Sequence, residues 1–356
     1  MEAYPHLSTL HQAVTEPSQR YPGSLLMDAH NKAAGHQRRL ATYVAENFRQ
    51  TGVPSPQDEL AAYAHLTQVT QAETMRYAYK FWRRAWRGAG DRGCGGVLVW
   101  QLNDCWPTVS WAVVDYHLVR KPGFYAIGRA LRQVDVGVAR TVYDWTQTSG
   151  LVDELSGLKT GQVDHSLPAR GTATFDVWIA SSRLEEVEVL VTTRFLSVRT
   201  GAEVAPAQTQ TISAAANAST TVISAQPCPA AIPDADDRSV PFSVTKYDPY
   251  VIHATASVDG QIIASDVSWP EPIKYLDFPD RGLTFDVSPT GCSVTVTASK
   301  PVKGFVFEEH VGLKLSDNGF DVIPGEKNEI KVEGKLKAGE LRYTYIGASA
   351  PSLTIS

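Results

Sequence analysis

The chain has 356 residues, of which 43% are hydrophobic and 20% charged, and a formal net charge of −5. That balance predicts a folded, water-soluble protein of two or three domains and excludes a disordered tail or a membrane-spanning protein. With a pI near 6.0 and no basic surplus, nucleic acid is not an expected partner, and a pair such as Arg83-Arg84 reads as a solvated helix face.

The opening residues MEAYPHLSTLHQAV have neither the basic stretch nor the apolar core of a secretory signal, and the expected compartment, the cytoplasm, rests on the scattered cysteines rather than on that absence. The first helix is predicted from about Gly35 to Phe48, with Leu40, Tyr43, Val44 and Phe48 on one face, ending before Thr51-Gly52-Val53-Pro54. A longer helix follows Pro56, capped by Asp58 or Gln57. In it Tyr63, Leu66, Val69, Ala72, Met75, Tyr79, Trp82 and Trp86 recur every three or four residues, a spacing that predicts a core stripe rather than a binding surface. Next comes GGVLVW (95–100), an apolar run without alternation, as expected of a strand buried on both faces of a parallel sheet. A third helix is predicted from Gly123 to Leu131, opened by Lys121-Pro122. Helix, buried strand, loop and helix in that order follow β/α logic.

Near residue 135 the composition changes to short alternating runs separated by Gly, Pro and Asp. Strands are predicted at 177–182, 187–198, 219–225 and 251–258, and a second set over LTFDVS, CSVTVTAS, GFVFEE, NEIKVEG and LRYTYIG. Two β-sandwiches with a boundary near Lys274 account for this spacing. Asp234 to Asp237 read as an exposed acidic turn, with calcium binding as the alternative that EF-hand spacing does not support. Cys94, Cys105, Cys228 and Cys292 are scattered without a C-x-x-C pair, so they read as reduced thiols.

The chemistry concentrates in GVLVWQLNDCWPTVSW (96–111). Active sites of β/α barrels are built at the carboxyl ends of the strands, where Trp100 would stand. An indole packs against the C–H face of a sugar ring while carboxamides and carboxylates bond its hydroxyls, so Trp100, Gln101, Asn103, Asp104 and Trp106 are the candidate substrate-binding residues. The structural alternative makes Trp106-Pro107 and Trp111 plugs of the barrel mouth and Asp104 a loop cap or ion-pair partner. For Trp111 the plug is the better reading.

The segment GVLVWQLNDCWPTVSWAVVDYHLVRKPGFYAIGRAL resembles the eighth strand and following helix of β-mannosidases in glycoside hydrolase family 2, notably the intracellular fungal type. DAHNKAAGHQRRLATYVAENFR (28–49) and the later KGFVFEEHVGLKLSDNGFDVIPGE are similar to the same family, so the likeness covers nearly the whole chain. The resemblance implies the C-terminal portion of a (β/α)8 TIM barrel (1–135) followed by two immunoglobulin-like β-sandwich domains (136–274 and 275–356). It implies removal of terminal non-reducing β-D-mannose with retention, a β-mannoside or manno-oligosaccharide as partner, no metal or organic cofactor, and no membrane.

Retention takes two carboxyl groups flanking the glycosidic bond. In the family the acid/base glutamate ends the fourth strand, and the nucleophile lies in S-E-F-G-x-[EQ]-x-[FY]-P at the end of the seventh. Met1-Glu2-Ala3-Tyr4-Pro5 matches that pattern from just after its glycine, so the resemblance puts the nucleophile three residues before Met1. Glu2 itself is displaced from that position by more than catalysis tolerates. A barrel takes about 250 residues, and about 135 precede the sandwiches. The expectation is a chain that is inactive alone, with apolar helix surface exposed or in need of the missing N-terminal half as a partner.

Two other readings stand beside this one. The sandwiches could form a carbohydrate-binding or interaction module, with Trp178, Trp269 and Tyr275 as candidate platforms, although strand tryptophans are more often inter-sheet core. Alternatively, the chain is an active hydrolase using Glu2, Asp28 or Asp104. Without G-x-S-x-G and with scattered histidines, serine or cysteine nucleophiles have no support.

Overall fold

The computed structural model describes residues 1–49, 55–88, 90, 93–141, 173–230, 248–270, 273–333, 341–350 and 352–355. The acidic turn read at Asp234 to Asp237 lies outside them. The chain divides into two compact units: Met1–Gln133 together with Glu271–Ser356, and Val134–Pro270.

The first unit opens with α1 (Leu7–Ala13), α2 (Leu25–Ala29), α3 (His36–Asn47), α4 (Pro56–Arg84) and α5 (Pro122–Ala130). The two short helices carry too few turns for a periodic signal in the sequence. Helix α4 starts at Ser55, whose side chain accepts from Asp58 N at 3.1 Å, with proline at the first helical position. Ser55, not Asp58 or Gln57, is therefore the cap. Asp58 and Glu59 in its first turn and Arg83 and Arg84 in its last complement the helix dipole.

Helix α4 is buried on more than the one predicted stripe. Leu60 and Ala64 join Tyr4, Leu10, Val14, Met27, Leu40 and Val109 in one cluster. On another side, Val69 meets Gly304, and His65 Nε2 donates to Gly304 O at 2.7 Å. Gly304 has φ +62, and an added Cβ would stand 2.8 Å from a Val69 methyl, so both conformation and contact require glycine there. At the aromatic end of the stripe Tyr79 is buried, but Trp82 is not core and is 46% exposed. The helix is longer than the surfaces that cover it.

The run at 95–100 also departs from expectation. It is extended but pairs with no described strand, and Leu98 is 96% exposed. A two-sided apolar strand is buried only where neighbours flank it and layers cover both faces. Among the described residues no parallel ladder forms. Parallel pairing is confined to the isolated bridges Asn31↔Val109 and Asn103↔Val114, so these residues do not close a barrel.

The same unit contains a sandwich of two four-stranded antiparallel sheets. Its strands are β8 (Leu283–Val287), β9 (Ser293–Ala298), β10 (Val302–Phe307), β11 (Lys314–Leu315), β12 (Phe320–Val322), β13 (Asn328–Glu333), β14 (Arg342–Thr344) and β15 (Leu353–Thr354). They are ordered β12-β10-β14-β15 and β11-β13-β9-β8 around Val294, Val296, Phe305, Phe307 and Ile330. Arg129 of α5 bonds to Asp317, to Asn318 O at 3.0 Å and to Gly319 O at 2.6 Å, which ties helix to sandwich. The helical segment and the last sandwich, read in the sequence as separate stretches, thus pack together.

The second unit is a seven-stranded sandwich of β1 (Val134–Thr141), β2 (Thr174–Ser181), β3 (Val187–Ser197), β4 (Glu203–Ala214), β5 (Ala218–Pro227), β6 (Tyr250–Val258) and β7 (Gln261–Ser268). Its sheets are ordered β1-β2-β5 and β4-β3-β6-β7, all antiparallel. Phe175, Val177 and Ile179 face Val189, Val191, Phe195 and Ile252 in the core, the period-two burial that made these strands readable. Trp178 points the other way. It is buried against Gly137, where a Cβ would meet its indole at 2.2 Å, so it is neither inter-sheet core nor an open platform.

Candidate functional site

The tryptophan loop rests on residues far from it in sequence. Ser110 O accepts from Ala3 N at 3.0 Å, Val109 N donates to His30 O at 2.8 Å, and Val109 O accepts from Lys32 N at 3.1 Å. Carboxamides on α4 donate to main-chain oxygens of these segments: Gln68 Nε2 donates to Tyr4 O at 3.0 Å, and Gln71 Nε2 to Met1 O at 3.0 Å and Trp111 O at 3.2 Å. Trp111 is half-buried. The segment 109–114 is thereby fixed as a buried floor.

Trp100 stands above it, 75% exposed, with no ring contact or hydrogen bond to a described residue; its peptide bond to Gln101 is cis. The next residues are knitted together. Asp104 Oδ2 accepts from Ser110 Oγ at 2.6 Å, and Oδ1 from Gln101 Nε2 at 3.3 Å with Lys32 Nζ at 3.6 Å. The carboxylate is fully buried, so its charge is spent within the loop. Gln101 Nε2 also donates to Asn103 O at 3.1 Å, and Asn103 Nδ2 to Asp104 O at 3.2 Å. Trp106 lies against His30, ring centroids 5.6 Å apart and tilted by 30°. Of the five predicted residues, Gln101, Asn103 and Asp104 form one bonded group, Trp106 joins His30, and Trp100 projects alone.

Sequence reasoning missed His30, Lys32 and Ser110. They lie in quoted segments, but only the long-range bridges bring them to the loop. Beneath it, Lys121 Nζ donates to Ala3 O at 3.1 Å, and burial, against the pull of Asp104 and Asp115, lowers this amine to about 8.

The other carboxylates considered for catalysis are also engaged. Glu2 is buried and paired with Arg39, and Asp28 accepts from Gln37. Among the described residues no group of three or more His, Cys, Asp or Glu side chains could hold a metal ion.

Residues 173–275 match the family model described as a mannosidase Ig/CBM-like domain, and residues 278–344 match an Ig-fold domain model. The chain is 42% identical to β-mannosidase B of Aspergillus oryzae and 41% identical to that of Aspergillus fumigatus, each over 98% of this chain and 37% of the relative. The chain is a homologue of these fungal β-mannosidases. It matches their C-terminal region and spans 37% of the length of these curated relatives. A β-D-mannosidase from Dictyoglomus thermophilum superposes with a TM-score of 0.70 at 19% identity, over 95% of this chain and 35% of that one. An exo-chitosanase of Amycolatopsis orientalis superposes with a TM-score of 0.62 at 13% identity, over 99% of this chain and 42% of that one. These likenesses establish the fold, immunoglobulin-like sandwiches included. In this chain the tryptophan loop is carried by the segment between α4 and α5.

Proposed function

We propose that this chain forms the C-terminal part of a retaining exo-β-mannosidase. In this reading residues 1–135 contribute the closing portion of a (β/α)8 barrel, and Trp100, Gln101, Asn103 and Trp106 line the sugar site. Asp104 holds that site's loop in shape. The exposed Trp100 indole on a loop pinned by a buried carboxylate is the observation that carries the reading, because a sugar platform must be both open and rigid. The name of the fungal relatives, β-mannosidase, supplies the substrate class.

The catalytic carboxyl pair is supplied from outside these residues. Glu2, Asp28 and Asp104 each have an internal partner, and a general acid/base or nucleophile must be open to the sugar. The exposed Leu98 is then surface available to the rest of such a barrel, while Trp100 stays open to the sugar. A binding module built on the sandwiches is the weaker reading, since Trp178 and Trp269 are buried and of the candidate platforms only Tyr275 is exposed.

Incubation with a chromogenic β-mannoside tests the assignment. The chain alone gives no turnover above that of an unrelated protein. Turnover that disappears in Glu2→Gln would overturn the placement of the catalytic pair.

A further inference from the structure

His30 has an unusually determined state. Its backbone oxygen accepts from Val109 N at 2.8 Å and from Thr108 Oγ1 at 2.9 Å, which fixes the main chain beside the tryptophan loop. Its Nδ1 lies 2.7 Å from Pro107 O. A carbonyl oxygen only accepts, so Nδ1 carries the proton and, in the neutral ring, Nε2 is left with a lone pair. Nε2 has no protein partner among the described residues, and the half-buried ring lies against Trp106.

The neighbouring carboxamides point to the same chemistry. Both Nε2 hydrogens of Gln101 are used within the loop, on Asn103 O and Asp104 Oδ1, and Asn103 Nδ2 is bonded to Asp104 O. Their carbonyl oxygens make no bond to a described residue. The Gln101 and Asn103 side chains thus keep their carbonyl oxygens as acceptors.

We propose that His30 is a sugar-binding residue of this site, its Nε2 accepting a hydrogen bond from a sugar hydroxyl beside Trp106. This rests on the reading of the tryptophan loop as the sugar site.

Titration of the chain with mannobiose, followed by the imidazole nitrogen resonances of His30, tests this on the unmodified protein. The Nε2 resonance moves on binding and the Nδ1 resonance stays. His30→Asn keeps an N–H for Pro107 O but removes the outward acceptor. It weakens binding about tenfold, the scale of one hydrogen bond, whereas a purely structural histidine would be rescued by that substitution. Binding that Trp100→Ala abolishes, with His30→Asn equal to wild type and Nε2 unmoved, would overturn the role of His30 alone. No binding by the wild-type chain, or binding indifferent to Trp100→Ala, would overturn the sugar-site reading with it.

Discussion

Lys303 is a lysine almost without solvent, its Nζ 2.7 Å from Glu73 on α4 and 3.1 Å from Asp321 in the last sandwich. Burial alone would lower its pKa, but Asp321 and Glu73 raise it, and the same contact draws Glu73 below the usual carboxylate range despite desolvation. Removing the cation leaves Asp321 buried and short of a counter-charge. Lys303→Met is expected to cost about 3 kcal/mol in urea unfolding, and to cost less when Glu73→Gln is made as well. Little of this pairing could be read from residue order, because Glu73 and Lys303 are brought together only by the fold. The tryptophan loop is a similar case. Its residue types announced sugar chemistry, but the fate of Asp104 depended on Lys32 and Ser110, which no local pattern connects to it.

At the scale of elements, legibility followed periodicity. The helices α3, α4 and α5 and the strands β2, β3, β5 and β6 carry apolar residues at regular spacing or in unbroken runs and were read close to their ends. Strand β4 was missed because it is largely exposed and polar, with Gln208, Thr209, Gln210 and Thr211 in sequence; as an edge strand it pairs only with β3 in its sheet. The run at 95–100 failed for the opposite reason: its apolar residues describe an environment that the described residues do not provide. Helix α4 offers a direct check on local control. Ser55→Ala removes the side-chain cap on Asp58 N, and a loss of about 1 kcal/mol in thermal unfolding is expected. No change would mean that tertiary contacts alone hold this end.

Across the whole molecule, the seam between α5 and the last sandwich couples stability to pH. Glu309 is buried, accepts from Asn318 Nδ2 at 2.9 Å, and is raised to about 7, burial outweighing the opposing effects of Asn318, Tyr125 and Arg120, with Asp115 adding to the rise. The folded state therefore prefers the protonated acid. Its stabilising contribution is complete below the ordinary value of 4.5 and is lost as pH rises through 7, an amount of about 3 kcal/mol. His6, lowered chiefly by burial, acts in the opposite sense as pH falls through its ordinary value of 6.5, so the comparison with Glu309→Gln isolates the carboxyl. From pH 5 to pH 8, wild type is expected to lose stability relative to that variant; parallel curves would contradict the assignment.

Floor and loop meet in one requirement: residues of α4 and the segments around Ala3 and His30 hold Thr108 to Val114 in place while the Trp100 indole stays open. Calorimetric titration of mannobiose into the chain and into Trp100→Ala tests this most directly. The account predicts weak saturable heat for the wild type and none for the variant, with both proteins folded. Equal heats from the two would contradict it.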